Sequence, residues 1–526
     1  MSILIHDCIF DSAARTPDAE ALIDGAERFS YAALAAQVNA ASALFLAHGV
    51  RPGERIAVYM EKRIESVVAL FGAAAAGCVF VPVNPLLKPK QVAYILADCD
   101  VRLLVTTPER HAQLAGVLAD CQGLQTVLLT DGAPQVATVK VTPVPALLHW
   151  RALEAQPVTS VMPPRRIDSD MAAILYTSGS TGAPKGVVLS HRNLVAGAAS
   201  VASYLGIGAS DRLLALLPLS FDYGLSQLTT AFLRGATVVL MNYLFPKDIV
   251  ASVAAERITG LAAVPPLWIA LSRLAWPDDC TLRFITNSGG AMPTVTVRAL
   301  QEVLPRAEIF LMYGLTEAFR STYLPPAELA RRPDSIGRAI PNAEVLVVRP
   351  DGSLCEADEP GELVHRGALV ALGYWNDPAR TAQRFRPAPG QDPALPLPEM
   401  AVWSGDTVRR DADGFLYFVG RSDEMIKVSG YRISPTEIES EIHASGLVRE
   451  VAVFGIDDVL LGQAIVAVAV VDVESIDRAG LLAECRRRLP AYMVPAHVVL
   501  REQALPRNPN GKIDRALLRH TFQPGA

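Results

Sequence analysis

The sequence predicts an α/β chain: a large N-terminal domain of layered α/β subdomains with a small β-barrel module, followed by a small α+β C-terminal domain. Three observations predict it. Helix-spaced and strand-like segments alternate through the first two thirds, short strands with turn signals take over from Ala343 to about Gly420, and a fresh unit of helices and strands begins after Arg421. At 526 residues the chain is too long for one core, so two domains are expected, 1–422 and 423–526.

In order, Tyr31 to His48 has helical spacing, Arg55 to Met60 reads as a strand and Glu65 to Gly77 as a helix. The uncharged stretch from Ser66 to Leu87 reaches membrane-spanning length, but it is alanine-rich and broken by Gly72, Gly77, Pro82 and Pro85. It is read as the end of a buried helix followed by a strand from Val79 to Val83. The runs Val101 to Thr106, Leu213 to Leu216, Thr237 to Met241 and Phe284 to Thr286 are apolar enough for strands buried on both faces. Turn signals at Asp351-Gly352, Pro360-Gly361 and Asp413-Gly414 mark the antiparallel module, and Pro387 to Pro398 reads as a surface loop. Beyond Arg421 the expected elements are a helix from Ser434 to Ala444, strands from Glu450 to Phe454 and Ala464 to Val473, and a helix from Leu481 to Leu489.

Composition excludes several classes. Hydrophobic residues make up 51% and charged residues 19%, which places the chain with compact rather than disordered proteins. The formal net charge is -6 and no basic run exceeds Arg486 to Arg488, so nucleic acid is not an expected partner. Seven cysteines without a CxxC pair suggest neither a disulfide framework nor a zinc site. With no signal-peptide pattern and no integral membrane segment, a cytoplasmic location is expected.

The chemistry concentrates in a series of short motifs. Tyr176-Thr177-Ser178-Gly179-Ser180-Thr181-Gly182-Ala-Pro-Lys185-Gly186 follows an apolar strand-like run. Its small and hydroxylated residues expose backbone N–H and O–H donors and Lys185 adds positive charge, a cradle suited to polyphosphate. The order after Gly182 departs from the Walker loop, which ends in Gly-Lys-Ser/Thr. A flexible Gly/Ser linker is the competing account, weakened by the preceding buried strand and the Pro-Lys ending. Farther on come Asn287-Ser288-Gly289-Gly290-Ala291, Tyr313-Gly314-Leu-Thr316-Glu317, Trp403-Ser-Gly-Asp406, the long run from Arg421 to Glu439, and Asn508-Pro-Asn-Gly-Lys512-Ile-Asp-Arg515. Paired glycines let backbone approach a flat ring, an aromatic face suits a purine and a carboxylate suits a hard cation. The Pro-Asn-Gly turn would aim Lys512.

Taken in this order, the motifs resemble the adenylate-forming superfamily of acyl-CoA synthetases, luciferases and peptide-synthetase adenylation domains, over nearly the whole chain. The Ser-Phe-Asp-Tyr-Gly-Leu-Ser-Gln and Met-Tyr-Gly-Leu-Thr-Glu-Ala-Phe-Arg runs are similar to an acyl-CoA ligase subgroup associated with exosortase and exopolysaccharide gene clusters. The resemblance implies ATP-dependent activation of a carboxylic acid to an acyl-adenylate, with release of pyrophosphate, then transfer to the thiol of CoA or of a carrier protein's phosphopantetheine. It places residues 177–182 and Lys185 on the phosphates, Gly289, Gly290, Ala291 and Tyr313 at adenine with Gly314 beside them, and Asp406 and Arg421 on the ribose. Thr316 would meet the α-phosphate, Glu317 would hold Mg2+, and Lys512 would bridge carboxylate and α-phosphate. It also makes the C-terminal domain mobile about Asp423, with Lys427 and Gly430 brought inward beside the pantetheine tunnel and Arg432 meeting phosphate in the thioester-forming state.

The acid pocket is expected at Phe221, Asp222, Tyr223 and Gly224, with Ser288. Phe221 stands where many acyl-CoA synthetases have His, whereas Phe221-Asp222 matches the pair whose aspartate binds an α-ammonium group in amino-acid-activating domains. Asp222 satisfied by backbone donors is the equal alternative. Pro265, Leu267, Trp268, Met312 and Phe319 are pocket wall or plain core, Arg320 reads as a surface salt-bridging residue ahead of the alternative that it meets a polar substrate tail, and His191 is given no catalytic role. No carrier segment is read after Lys512, so the acceptor is expected to be a separate molecule. A CoA ligase, a stand-alone amino-acid-activating enzyme and a catalytically silent nucleotide-binding scaffold remain the competing functions, the last disfavoured by the joint presence of Lys185, Glu317, Asp406, Arg421 and Lys512.

Overall fold

The computed structural model describes residues 3–130, 145–150, 165–177, 184–421, 424–428, 431–458, 462–471, 477–489, 491–509 and 511–522. The expected alternation is present, resolved into two large sheets. In the nine-stranded sheet the order is Arg338–Ala339, Thr322–Leu324, Glu308–Tyr313, Phe284–Asn287, Gly260–Ala263, Arg212–Ala215, Thr237–Leu240, Glu20–Asp24 and Glu27–Ser30. Its central strands are parallel, and Phe284–Asn287, Gly260–Ala263 and Thr237–Leu240 are buried throughout. A parallel sheet covered on both faces requires such uniformly apolar strands.

The second sheet has eight strands in the order Gly373–Tyr374, Lys185–Ser190, Met171–Thr177, Val79–Pro82, Arg55–Tyr59, Val101–Thr106, Thr126–Leu129 and Ala146–His149. The suspect stretch from Ser66 resolves as read: the helix Ile64–Ala75 is almost wholly buried and leads into Val79–Pro82. Gly72 makes that burial possible, since a Cβ there would lie 2.7 Å from Ala41 Cβ on the helix Tyr31–Ala47. No helix among the described residues is long and apolar enough to cross a membrane.

The antiparallel module is a five-stranded sheet, Ala343–Val348, Gly361–Gly367, Met400–Arg410 and Phe385–Pro387 in order, with Leu416–Arg421 also on Met400–Arg410. The C-terminal unit is another five-stranded sheet, built on the hairpin Val448–Asp458 and Gly462–Val471, with helices Pro435–Ala444 and Arg478–Arg488 against it. The Asn84 side-chain amide donates to Pro509 O at 3.0 Å and so ties the C-terminal unit to the N-terminal part.

Candidate active site

Ligand sites in open α/β sheets form beyond the carboxyl ends of parallel strands. Here Ser288–Ala291 follow the strand Phe284–Asn287, and Gly314–Glu317 follow Glu308–Tyr313. The phosphate-loop motif is clamped at both ends: Met171–Thr177 and Lys185–Ser190 pair antiparallel, with Thr177 opposite Lys185. Ser178, Gly179, Ser180, Thr181 and Gly182 lie outside the described residues.

Lys185 Nζ donates to Glu317 Oε1 at 2.7 Å and to the Tyr374 hydroxyl at 2.9 Å, and that hydroxyl donates to the same Glu317 oxygen at 2.6 Å. Glu317 is buried. Burial by itself pushes its carboxyl up, but the Lys185 ammonium and the two hydrogen bonds outweigh this and bring it down to about 2. Tyr374 belongs to no motif identified in the sequence. It reaches the site because its edge strand, Gly373–Tyr374, pairs with Lys185–Ser190, and its ring lies 4.5 Å beneath the Lys185 ammonium.

The Tyr313 hydroxyl donates to Asp406 Oδ2, and Arg421 Nε lies 3.5 Å from Asp406 Oδ1. Asp406 and Arg421 are direct cross-strand partners, so the antiparallel ladder itself sets their spacing. Gly290 and Ala291 are exposed beside Gly289, and Ser288 is buried. Gly289 has φ +83°, and a Cβ there would sit 3.6 Å from Phe221 Cζ and 3.9 Å from Lys512 Cε. The glycine loop, the Phe221 ring and the C-terminal lysine therefore meet at one point.

The turn that aims Lys512 is closed by Asn508 N–H donating to Lys512 O at 2.8 Å and by Lys512 N–H donating to the Asn508 side chain at 3.0 Å. The residue as a whole stays open to solvent. Protein nevertheless surrounds its ammonium closely enough for burial to lower its pKa, helped by Arg421 and opposed by Asp222 and Asp406. Arg515, three positions on, pairs with buried Glu439 at 2.7 Å and anchors this segment to the helix Pro435–Ala444. Lys427 and Arg432 lie on the strands Ile426–Val428 and Tyr431–Ile433, while Asp423 and Gly430 lie outside the described residues.

The acid pocket contains one correction. Arg320 is not at the surface: it is 2% exposed, and its Nη1 donates to Asp222 Oδ2 at 2.9 Å and to Phe319 O at 2.8 Å. The turn after Glu317 runs inward, which the linear sequence did not reveal. Asp222 opens the helix Asp222–Arg234, so its partner is a guanidinium rather than backbone donors alone. Burial pushes its carboxyl up, against the pull of Arg320 and Lys512. The Phe221 and Tyr223 rings meet edge-on at 6.2 Å, and Gly224 has no room for a side chain because a Cβ would fall 2.1 Å from Pro218 O. Thr316 begins the short 3₁₀ turn that carries Glu317. Trp268 and Phe319 are fully buried core, Leu267 is buried, Pro265 packs under Gly290, and Met312 lines a cavity beside Arg320. His191 is buried and its Nδ1 accepts from Ile5 N–H at 3.2 Å, a structural role.

Comparison with known proteins agrees with this geometry. The chain is 31% identical over 528 residues to the L-proline--[L-prolyl-carrier protein] ligase of Pseudomonas fluorescens, covering 98% of each. It is 32% identical over 520 residues to tyrocidine synthase 3 of Brevibacillus parabrevis, of which it spans only 8%. Among solved structures, ATP-bound MatB from Rhodopseudomonas palustris superposes with a TM-score of 0.87 at 26% identity, covering 100% of this chain and 99% of that one. The anthranilate CoA ligase AuaEII in complex with anthranoyl-AMP gives a TM-score of 0.87 at 25% identity, covering 99% and 98%. These matches reach the superfamily and not the exosortase-associated subgroup. The AMP-binding enzyme family model matches residues 9–375 and its C-terminal domain model matches 437–512, so the chain belongs to the AMP-binding enzymes of the adenylate-forming superfamily.

Proposed function

We propose that the protein activates a carboxylic acid lacking an α-ammonium group and transfers the acyl group to the thiol of CoA. The observation that carries this reading is the meeting of Lys512, the Gly289 loop and Phe221 in front of an Asp222 already held by Arg320. An occupied carboxylate has little call for a substrate amine, because a second buried cation would disturb a matched pair.

In the first step the acid's carboxylate oxygen attacks the α-phosphorus of ATP, the bond to the bridging oxygen breaks, and pyrophosphate leaves. Two anions must approach, so the task is charge neutralisation and positioning. Lys512 would neutralise carboxylate and α-phosphate together, with Thr316 donating. Lys185, tied here to Glu317, would turn to the outer phosphates, and Asp406 with Arg421 would hold the ribose. Among the described residues no group of three or more His, Cys, Asp or Glu could hold a metal by itself. An ionised, buried Glu317 fits Mg2+ as one protein carboxylate in a shell otherwise made of phosphate oxygens and water. When bound, Mg2+ would supply charge neutralisation on the phosphates.

In the second step the thiol sulfur attacks the acyl carbon of the mixed anhydride, AMP leaves with the bonding pair, and the thiol proton passes to solvent. Rotation at Asp423 would withdraw Lys512 and bring Lys427, Gly430 and Arg432 to the thiol side. A second reading, a stand-alone enzyme loading an amino acid onto a separate carrier protein, is favoured by the full-length likeness to the prolyl-carrier ligase.

The test is pyrophosphate exchange driven by fatty, aromatic, short polar and amino acids, with and without CoA. Non-amino acids should drive exchange and CoA should be consumed. Lys512→Ala should reduce adenylation by on the order of 100-fold or more while sparing thioester formation from supplied acyl-adenylate. Equal losses in both half-reactions would remove Lys512 from its assigned role, and amino-acid dependence abolished by Asp222→Ala would favour the second reading.

A further inference from the structure

Beside Arg320 lies a cavity of about 30 Å³, lined in part by residues of the runs from Ser220 to Gln227 and from Met312 to Arg320. It sits between the helices His191–Tyr204 and Asp222–Arg234 and the nine-stranded sheet, walled by Tyr223, Thr230, Gly260, Thr286, Met312 and Arg320 among others. A water molecule needs about 10–15 Å³ on this measure, so the space suits a group of two or three heavy atoms.

The lining is mostly apolar, but it includes polar groups left unpaired. Arg320 Nε and Nη2 and Thr230 Oγ1 are buried without a hydrogen-bond partner, although Arg320 is 2% exposed and Thr230 1%. Buried donors left unpaired are costly, and those of a charged group most of all. The guanidinium cannot swing away to find a partner: Nη1 is held by Asp222 and Phe319 O, and its plane lies over the Tyr223 ring at 4.7 Å. A guanidinium offers donors only, so whatever completes it must be an acceptor. Its charge is already matched by the Asp222 carboxylate at 2.9 Å, so a further anion beside this buried pair would be uncompensated, whereas a neutral oxygen would not.

We propose that Arg320, with Thr230, is the specificity-determining anchor for a neutral acceptor oxygen on the tail of the acid, which makes the substrate a short hydroxy- or oxo-carboxylic acid. This rests on the ligase reading above. In this arrangement Arg320 links the two ends of the acid: Nη1 sets Asp222 beside the reacting carboxyl, and Nε and Nη2 grip the tail. A plain fatty or aryl chain would leave those donors unpaired.

The test uses chain-matched acids in four forms, unsubstituted, hydroxy or oxo, dicarboxylic and amino, assayed by acid-dependent pyrophosphate release with the full-length protein and with Arg320→Gln and Thr230→Val. The unaltered protein should favour the hydroxy or oxo form over the unsubstituted one by on the order of 100-fold or more in kcat/KM. Arg320→Gln should bring that ratio close to one, and Thr230→Val should lower it by about 10-fold. ATP-induced thermal stabilisation reports whether each variant is folded. Thr230→Val leaves the Asp222–Arg320 pair untouched, so it decides the matter if Arg320→Gln does not fold. Preference for unsubstituted or dicarboxylic acids, or a ratio unmoved in the folded variants, would overturn the inference while leaving the ligase reading in place, and preference for the amino form would overturn both in favour of the amino-acid-activating reading. Absence of release with every acid would overturn the ligase reading and this inference with it.

Discussion

Glu317→Gln isolates the charge at the centre of the phosphate side. A carboxyl displaced from its ordinary 4.5 to about 2 is favoured in its ionised form by about 3 kcal/mol, at about 1.4 kcal/mol per pH unit. The substitution keeps the shape but strands the Lys185 ammonium, 17% exposed, beside a neutral amide. Removing one partner of a buried pair costs about 3–5 kcal/mol, in line with the first figure. The sign follows from the direction of displacement. A depressed carboxyl contributes stability that is complete above its unfolded value of about 4.5 and disappears as pH falls towards about 2. Urea unfolding of nucleotide-free protein, followed at pH 7, 4.5 and 3, should therefore show a gap of about 3 kcal/mol between parent and Glu317→Gln at pH 7 that narrows steadily below 4.5. A gap under about 1 kcal/mol at pH 7, or one that persists undiminished into acid, would refute the pairing as drawn.

On the proposed mechanism adenylation needs Lys512 as an ammonium, and burial lowers its pKa, so the rate of acyl-adenylate formation should fall on the alkaline side at a pH below 10.5, while thioester formation from supplied acyl-adenylate should not share that limb. An identical alkaline limb in both half-reactions would contradict this. Asn84→Ala removes the 3.0 Å hydrogen bond to Pro509 O that helps dock the lysine turn; at about 1 kcal/mol for a neutral bond, adenylation should slow by about 5-fold with the second half-reaction unaffected. Pre-steady-state measurement of each half-reaction checks it, and unchanged adenylation would show that the contact does not govern docking.

What was legible in the sequence is what is local. The phosphate loop, the Tyr313–Glu317 turn and the Lys512 turn are each built from consecutive residues, and the apolar strands announce themselves by composition. Asp406 and Arg421 were read as a pair, and one antiparallel ladder does join the two motifs that carry them. The contacts that were missed join distant positions. Asn84 meets Pro509 across 425 residues and Tyr374 meets Glu317 across 57, and periodicity carries no record of such pairings. Arg320 was misplaced for the same reason, since its partner Asp222 lies 98 residues earlier. The strand Val448–Asp458 outruns the expected Glu450 to Phe454 because its ladder with Gly462–Val471 continues past the apolar run. The strand His497–Arg501 escaped notice because its half-buried residues show no clean alternation.

On the proposed reading, the five residues from Thr316 to Arg320 would serve two ligands at once. Glu317 points to Lys185 and the phosphate side, and three positions later Arg320 points to Asp222 and the acyl cavity. Reversing direction over so short a span puts Phe319 at φ +56°, a conformation that costs a non-glycine residue on the order of 1–3 kcal/mol. Packing holds it there: the Phe319 ring lies where any side chain at Gly197 would have to go, 2.5 Å from the position of a Cβ. Glycine at 197 thus permits a strained phenylalanine, and the strained phenylalanine lets one turn hold a carboxylate against Lys185 and a guanidinium against Asp222. On the proposed reading the same turn would position both groups, so recognition of the acid's tail and alignment of the phosphates would share one mechanical support, and a single piece of backbone would bring the two substrates into register.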